Sequence, residues 1–303
     1  MKKLTGVKAL AFSGIMASIT ILLILVSNVI IGLGIISMLI LPMCSTFISL
    51  KVDWKYRLVY FCACLITFII DPSLTLFIVI PSLISGIVLG TLVSKYLQGY
   101  YVIFITTLCV SILQIGTTYL IDLIYEVNMI ELFSTVLKIN LVDFSNIYYF
   151  FIYTLSLIQV SLSYMVISNE LKKLNYEFNE KKNQFIPIFI ISTISITLTF
   201  VSFFINLTLY CLLLGFSIYF SVILGYYIFS FYQRKKMQLI QIPLYFIALL
   251  GIAILYSRVG NENAPILLLL PFITHLISGL YIIIFQKIIK KGQINETLFD
   301  KLD

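Results

Sequence analysis

The chain has 303 residues, 61% hydrophobic and only 11% charged, with a formal net charge of +7. A soluble globular domain is about 45–50% apolar and about 25% charged, so this composition excludes one. The apolar residues come in long blocks with basic clusters between them, a pattern that excludes a nucleic-acid surface and the alternating segments of a β-barrel.

Each block approaches the length needed to cross the ~30 Å hydrocarbon core as a helix. Helices satisfy their own backbone hydrogen bonds in lipid. The expected fold class is therefore an all-α polytopic membrane protein of about ten transmembrane helices.

In chain order, run one covers about 8–31 and run two about 33–50. Run one has no small-residue cleavage site and reads as a membrane helix, not a removable signal. The cluster Lys51-Val-Asp-Trp-Lys-Tyr-Arg57 leads into a short run three, 58–70, which stops at Asp71-Pro72. Run four is 74–95, and a Gln98-Gly99 turn leads to run five, 100–124. Segment 125–145 differs. Asn128, Glu131, Ser134, Thr135 and Lys138 recur every three or four positions, with Met129, Leu132, Phe133, Val136 and Leu137 between them. That pattern predicts an amphipathic helix lying flat on the outer surface.

Run six is 146–168. The polar stretch 169–184 follows, where Glu177 and Lys181 have the spacing of a helical ion pair. Run seven is 185–205, run eight 208–232, run nine 239–257 and run ten 265–286. This divides the chain into a six-helix bundle (1–168), a cytoplasmic connector (169–184), a four-helix bundle (185–286) and a tail (287–303).

The charge distribution bears on this count through the positive-inside rule. With both termini cytoplasmic and the runs alternating, 18 of the 20 basic residues fall on the cytoplasmic side. Only Lys138 and Arg258 lie outside, among Asp71, Asp122, Glu126, Glu131, Asp143 and Glu262. A missed helix would reverse every later loop. The expected localisation is the cell membrane, multi-pass.

All five cysteines lie inside apolar runs, which argues against a disulfide framework in loops. The single histidine excludes His-pair zinc motifs, and there is no Walker A sequence or Gly-x-Ser-x-Gly elbow. No catalytic residue, metal site or cofactor is predicted, and the chain reads as a non-enzyme.

Two small-residue stripes stand out. Run one carries Ala9, Ser13 and Ala17, and run four carries Ser82, Gly86, Gly90 and Ser94, each four residues after the last. Such stripes allow close helix approach, either inside the bundle or against another subunit. Pro42, Pro81, Pro243 and Pro271 fall within runs as candidate kinks, while Pro72 and Pro265 sit at starts.

Polar groups at membrane depth are costly. They are Asn28, Gln114, Asp122, Gln159 and His275, with Asp71 near an outer boundary. Helix-to-helix hydrogen bonding is the plain reading of His275 and Gln114, and Asp122 can reach the interface. Asn28, Asp71, Gln114 and Asp122 all favour the outer half of the bundle, so together they predict an outward-facing substrate pocket.

The opening segment Ala9-Leu-Ala-Phe-Ser13-Gly-Ile-Met-Ala17, the pair of runs reaching Leu39-Ile-Leu-Pro42, and Ile80-Pro-Ser-Leu-Ile-Ser-Gly86-Ile-Val-Leu-Gly90 carry a family resemblance. Over about 1–170 the chain resembles the YybS-like uncharacterised membrane proteins of low-GC Gram-positive bacteria. That family is similar to the substrate-binding (S) components of energy-coupling-factor transporters. The resemblance implies a subunit that binds a small molecule from outside. It also implies docking on a transmembrane coupling subunit, linked to separate ATPases, through the first-helix stripe. Here Ser13 stands at the centre of that stripe, and the last four helices extend beyond a six-helix S component. The alternatives are a membrane scaffold or assembly factor acting through its helix stripes, and a self-contained flippase or secondary carrier.

Overall fold

The computed structural model describes the backbone over residues 3–29, 33–174, 176, 185–234 and 266–299. It describes side chains over the same ranges except 28–29, 33–39, 231–234 and 285–299. Run nine, the Glu177–Lys181 pair and Asn28's side chain lie outside the described residues. Every regular element described is a helix.

The chain divides into two units, Met1–Lys181 and Lys182–Asp303. The first holds α1 (Gly6–Val29), α2 (Leu33–Lys51), α3 (Trp54–Cys64) and α4 (Thr67–Ile70). These are followed by α5 (Pro72–Ser94), α6 (Gly99–Tyr125), α7 (Met129–Leu137) and α8 (Leu141–Lys173). The second holds α9 (Phe185–Phe203), α10 (Leu207–Arg234) and α11 (Leu270–Phe299). Among the described residues, seven segments are long and apolar enough to cross a membrane: Gly6–Ser27, Pro72–Ser94, Gly99–Tyr125, Leu141–Lys173, Phe185–Phe203, Leu207–Ser230 and Ile266–Ile284. The protein is thus an all-helical, multi-pass membrane protein.

Run three differs from a continuous helix. α3 ends at Cys64, and a tight turn at Leu65–Ile66 separates it from α4. The Leu65 N–H is shared between the Phe61 and Cys62 carbonyls, and Ile66 and Phe68 donate three residues back. These narrower bonds wind the chain tighter than an α-helix. The 11 residues of α3 alone rise about 16 Å, half of the ~30 Å core.

α5 begins on Asp71, whose carboxylate accepts from the Leu74 N–H at 3.0 Å, with Pro72 in the first turn. A wide π turn at Thr75–Val79 follows. It falls where the Pro81 ring would press on the carbonyl of Phe77, so the proline is absorbed without ending the helix. Pro271 lies within the span Ile266–Ile284, in the first α-helical turn of α11, where proline is tolerated.

The amphipathic segment condenses to the nine-residue α7, bounded by Glu126 and Lys138 in left-handed conformation (φ 54° and 56°). Asn128 caps it by accepting from the Glu131 N–H. Its apolar side is split. Ile130 and Phe133 pack on Phe144, Tyr148 and Ile152 of α8, while Leu132, Val136 and Leu137 are exposed.

In the first unit, α2 is the central element, packed by α1, α5 and α8, while α6 joins α5 to α8. Leu41, Ile48, Tyr60, Val79 and Leu83 form the core between α1, α2, α3 and α5. In the second unit, α9, α10 and α11 pack on one another. Ser217 of α10 bonds Ser195 and Thr199 of α9, and a Cβ on Gly279 of α11 would lie 2.6 Å from the Phe189 ring.

Candidate functional site

Small residues let α5 lie directly on α2. A Cβ at Gly90 would come within 2.7 Å of Ser49 Cβ and 2.8 Å of the Thr46 carbonyl oxygen. At Gly86 it would overlap the Pro42 carbonyl and the Ser45 hydroxyl. The close approach brings hydroxyls of α2 to carbonyls of α5. Thr46 Oγ1 lies 2.7 Å from the Pro42 carbonyl and 3.0 Å from that of Gly86, so its one proton is shared. Ser49 reaches the Ile87 carbonyl at 3.0 Å and Thr91 Oγ1 at 2.9 Å. Carbonyls at a proline-containing helix turn are thereby satisfied by neighbouring side chains.

Ala9, Ser13 and Ala17 are buried, within the core that α1 shares with α2 and α3. Ser82, Gly86 and Gly90 are buried too, whereas Ser94 is exposed and donates back to the Thr91 carbonyl. The outward face of α1 is another one, carrying Leu10, Gly14, Ile15, Ser18 and Leu22.

The most polar interior lies where α5, α6 and α8 meet. Ser156 Oγ is 2.6 Å from Gln114 Oε1 and 2.8 Å from the Ile152 carbonyl. Gln114 Nε2 points to Gln159 Oε1 at 3.5 Å, and Gln159 Nε2 donates to Ser82 Oγ at 3.0 Å. Four buried side chains on three helices thus form one chain of amides and hydroxyls. The same faces continue toward the far end of the helices. On α6 they carry Thr107, Ser111, Gln114 and Thr118, and on α8 Ser156, Gln159 and Ser163.

Most of these hydroxyls return their proton to the backbone, as Ser111 does to Leu108 and Thr118 to Gln114. Ser85, Thr106, Thr107 and Ser163 do not. Their oxygens are fully buried and, among the described residues, have no hydrogen-bond partner. An unpaired hydroxyl in an apolar interior costs free energy, and of these four Thr107 and Ser163 lie on the same helix faces as Gln114 and Gln159.

Of the predicted substrate residues, Asp71, Gln114 and Asp122 are described, and each has its own hydrogen-bond partners. Asp71 caps α5 and also accepts from Ser73 Oγ at 2.8 Å. Its carboxyl is held below the usual range by the Leu74 N–H, against a small opposing effect of burial. Asp122 Oδ1 accepts from the Met129 N–H at 2.9 Å and anchors α7. Only Gln114 enters the polar seam. Each aspartate accepts a free N–H from the first turn of the helix that follows it, α5 for Asp71 and α7 for Asp122, and that need accounts for their positions. The partners left out of the predicted pocket are Ser156, Gln159 and Ser82. The 3–4 spacing of Ser156, Gln159 and Ser163 was the signal that could have placed them with Gln114.

In the second unit, His275 of α11 meets Ser221 Oγ through Nδ1 at 2.6 Å. Gly225, one turn beyond Ser221, leaves room for the imidazole: a Cβ there would be 3.0 Å from Nε2.

At the basic end of α2 and α3, the Lys3 ammonium bonds the Asp53 carboxylate at 2.8 Å and holds its pKa down. Lys51 Nζ sits 5.2 Å over the Phe12 ring. Arg57 ties this corner together by donating to the Val52 and Ser49 carbonyls and to Thr91 Oγ1.

Residues 18–151 match the model of a family described as a predicted membrane protein (DUF2232). The match runs from within α1 into the first turns of α8. It includes Asp71, Ser82, Gln114 and Asp122 and stops before Ser156 and Gln159. No curated protein and no solved structure matches the chain.

Proposed function

We propose that this membrane protein is a non-enzymatic solute-binding subunit, whose first unit takes a small, uncharged, hydrogen-bonding solute at the seam of α5, α6 and α8. The observation that carries this reading is the buried set Ser85, Thr106, Thr107 and Ser163, which have no partner beside a complete amide chain through Gln114 and Gln159. A solute entering between these helices gains hydrogen bonds that the closed seam leaves unmade. The seam holds amides and hydroxyls and no ionisable group, so it favours a neutral polar ligand over an ion.

In this reading the chain has ten spans, with both termini cytoplasmic and the seam loaded from outside. The resemblance of 1–170 to the YybS-like family, itself similar to S components, favours a transmembrane coupling subunit and separate ATPases as partners. The chain has no Walker A sequence of its own, so a primary transport cycle would draw its ATPase from another chain. Because Ala9, Ser13 and Ala17 are buried, this reading assigns coupling-subunit docking to the exposed α1 face around Gly14 and Ser18.

The test is mass spectrometry of small molecules and proteins retained by the full chain, purified gently from its native membranes. A polar neutral solute is expected with the wild type and absent from a Gln114→Leu, Gln159→Leu variant that elutes and melts like it. Equal retention by both proteins would refute the seam, and the lack of any co-purifying ATPase would refute the coupled-subunit reading.

A further inference from the structure

α3 packs on α1 and leans away from α5, which leaves a groove of about 440 Å³ between α3 and α5. One wall is Trp54, Arg57, Leu58 and Phe61, and the other is Ile84, Ile87, Val88, Thr91 and Leu92. Each set lies at three- and four-residue spacing, so each is one continuous helix face. The volume is within the roughly 300–1,000 Å³ of small-molecule sites. The walls are apolar apart from Thr91 and the half-buried Arg57 near one end.

We propose that this groove is a binding site for a single anionic phospholipid, with an acyl chain along the α3/α5 walls and the phosphate at Arg57. Three of the five guanidinium N–H groups are committed, to Val52, Ser49 and Thr91, which leaves two for a phosphate oxygen. These three bonds also fix the guanidinium, so little ordering is needed on binding. The nearby carboxylate, Asp53, is taken up by Lys3, and Lys51 is occupied over Phe12. Trp54, which is exposed, is the residue type that anchors at headgroup level. An apolar slot ending in fixed positive charge and an interfacial indole is complementary to an anionic amphiphile, not to a uniformly apolar helix. The assignment does not depend on the seam.

The test uses the full chain in mild detergent, delipidated and titrated with phosphatidylglycerol or phosphatidylcholine of identical acyl chains, read by native mass spectrometry. Phosphatidylglycerol is expected to bind as a discrete single adduct roughly fivefold more tightly, the scale of one interfacial cation. Arg57→Gln should remove the preference. Because Arg57 also braces the α2–α3 corner, Val88→Trp is the second variant. It fills the groove without touching the guanidinium and should lose the adduct while keeping the wild-type melting temperature. Equal binding of the two lipids, or an unchanged adduct in Val88→Trp, overturns the proposal. So does a photo-crosslinker at Leu58 that captures a polypeptide instead of a lipid in native membranes.

Discussion

Gly86 of α5 meets Pro42 of α2 at backbone contact: a Cβ on the glycine would overlap the proline's carbonyl oxygen and come within 2.8 Å of its carbonyl carbon. The absence of a side chain on Gly86 lets α5 come close enough for Thr46 Oγ1 to bridge the Pro42 and Gly86 carbonyls of the two helices.

Gly86→Ala should therefore destabilise the first unit by about 1–3 kcal/mol or more, since the clash is with backbone that cannot swing away. Gly90→Ala should act in the same direction. Gly14→Ala and Gly116→Ala meet no neighbour within 4 Å and should stabilise their helices by about 0.5–1 kcal/mol. Thermal unfolding in detergent checks all four.

Gln114 and Gln159 should be energetically coupled. A double-mutant cycle with leucine at each position is expected to give an interaction of about 0.6 kcal/mol, with a ceiling near 1.7, the range for interhelical hydrogen bonds in membranes. Strict additivity in unfolding experiments would show that the 3.5 Å contact contributes nothing.

Asp71 has a lowered carboxyl pKa in the folded protein, so its contribution is fully present above the ordinary carboxylate value of about 3.9. It is lost as pH falls through the lowered folded value. Asp53, paired with Lys3, works in the same direction. Asp71→Ala should cost about 0.5–2 kcal/mol near neutral pH through the lost cap. Its stability should also fall less on acidification than that of the wild type, when melting temperatures are compared from pH 6 to pH 3.

The proposed alternating topology predicts that Lys138→Cys is labelled by a membrane-impermeant maleimide on intact cells, and that Lys173→Cys is labelled only after permeabilisation. The reverse pattern would invert the orientation, and labelling of both from outside would break the ten-span count.

Gly225→Ala should push the His275 ring off Ser221 and destabilise the second unit by about 1–3 kcal/mol. In a His275→Ala background the same substitution should cost far less, because the ring it meets is gone. Equal costs in both backgrounds, measured by unfolding, would place the clash elsewhere.

Much of this architecture was legible in the order of residues. Run seven, 185–205, is α9 at Phe185–Phe203, and run eight, 208–232, is α10 at Leu207–Arg234. Run six was read as 146–168, yet α8 extends over Leu141–Lys173. Asn140 caps it and polar turns continue it past the apolar block, so hydropathy undercounts its length. The break at Leu65–Ile66 carries no glycine or proline to announce it. The bonding roles of two candidate residues were not legible for another reason. Asp71 and Asp122 are ordinary polar residues at helix ends, and only their bonds to the Leu74 and Met129 N–H groups mark them as caps.

What the residue order determined by itself is the medium and the elements. Blocks of apolar side chains cannot be hidden in a soluble core of this size, and in lipid they must close their backbone bonds as helices. Tertiary structure alone decided which face of each helix turns inward and which partner each polar group finds. In water, an apolar stripe reports the buried face. In a bilayer the surroundings are as apolar as the protein interior, so hydrophobicity no longer distinguishes the two. Ala9, Ser13 and Ala17 are thus buried against α2 and α3 while Leu10, Ile15 and Leu22 face outward, an arrangement set by packing shape and a few hydrogen bonds.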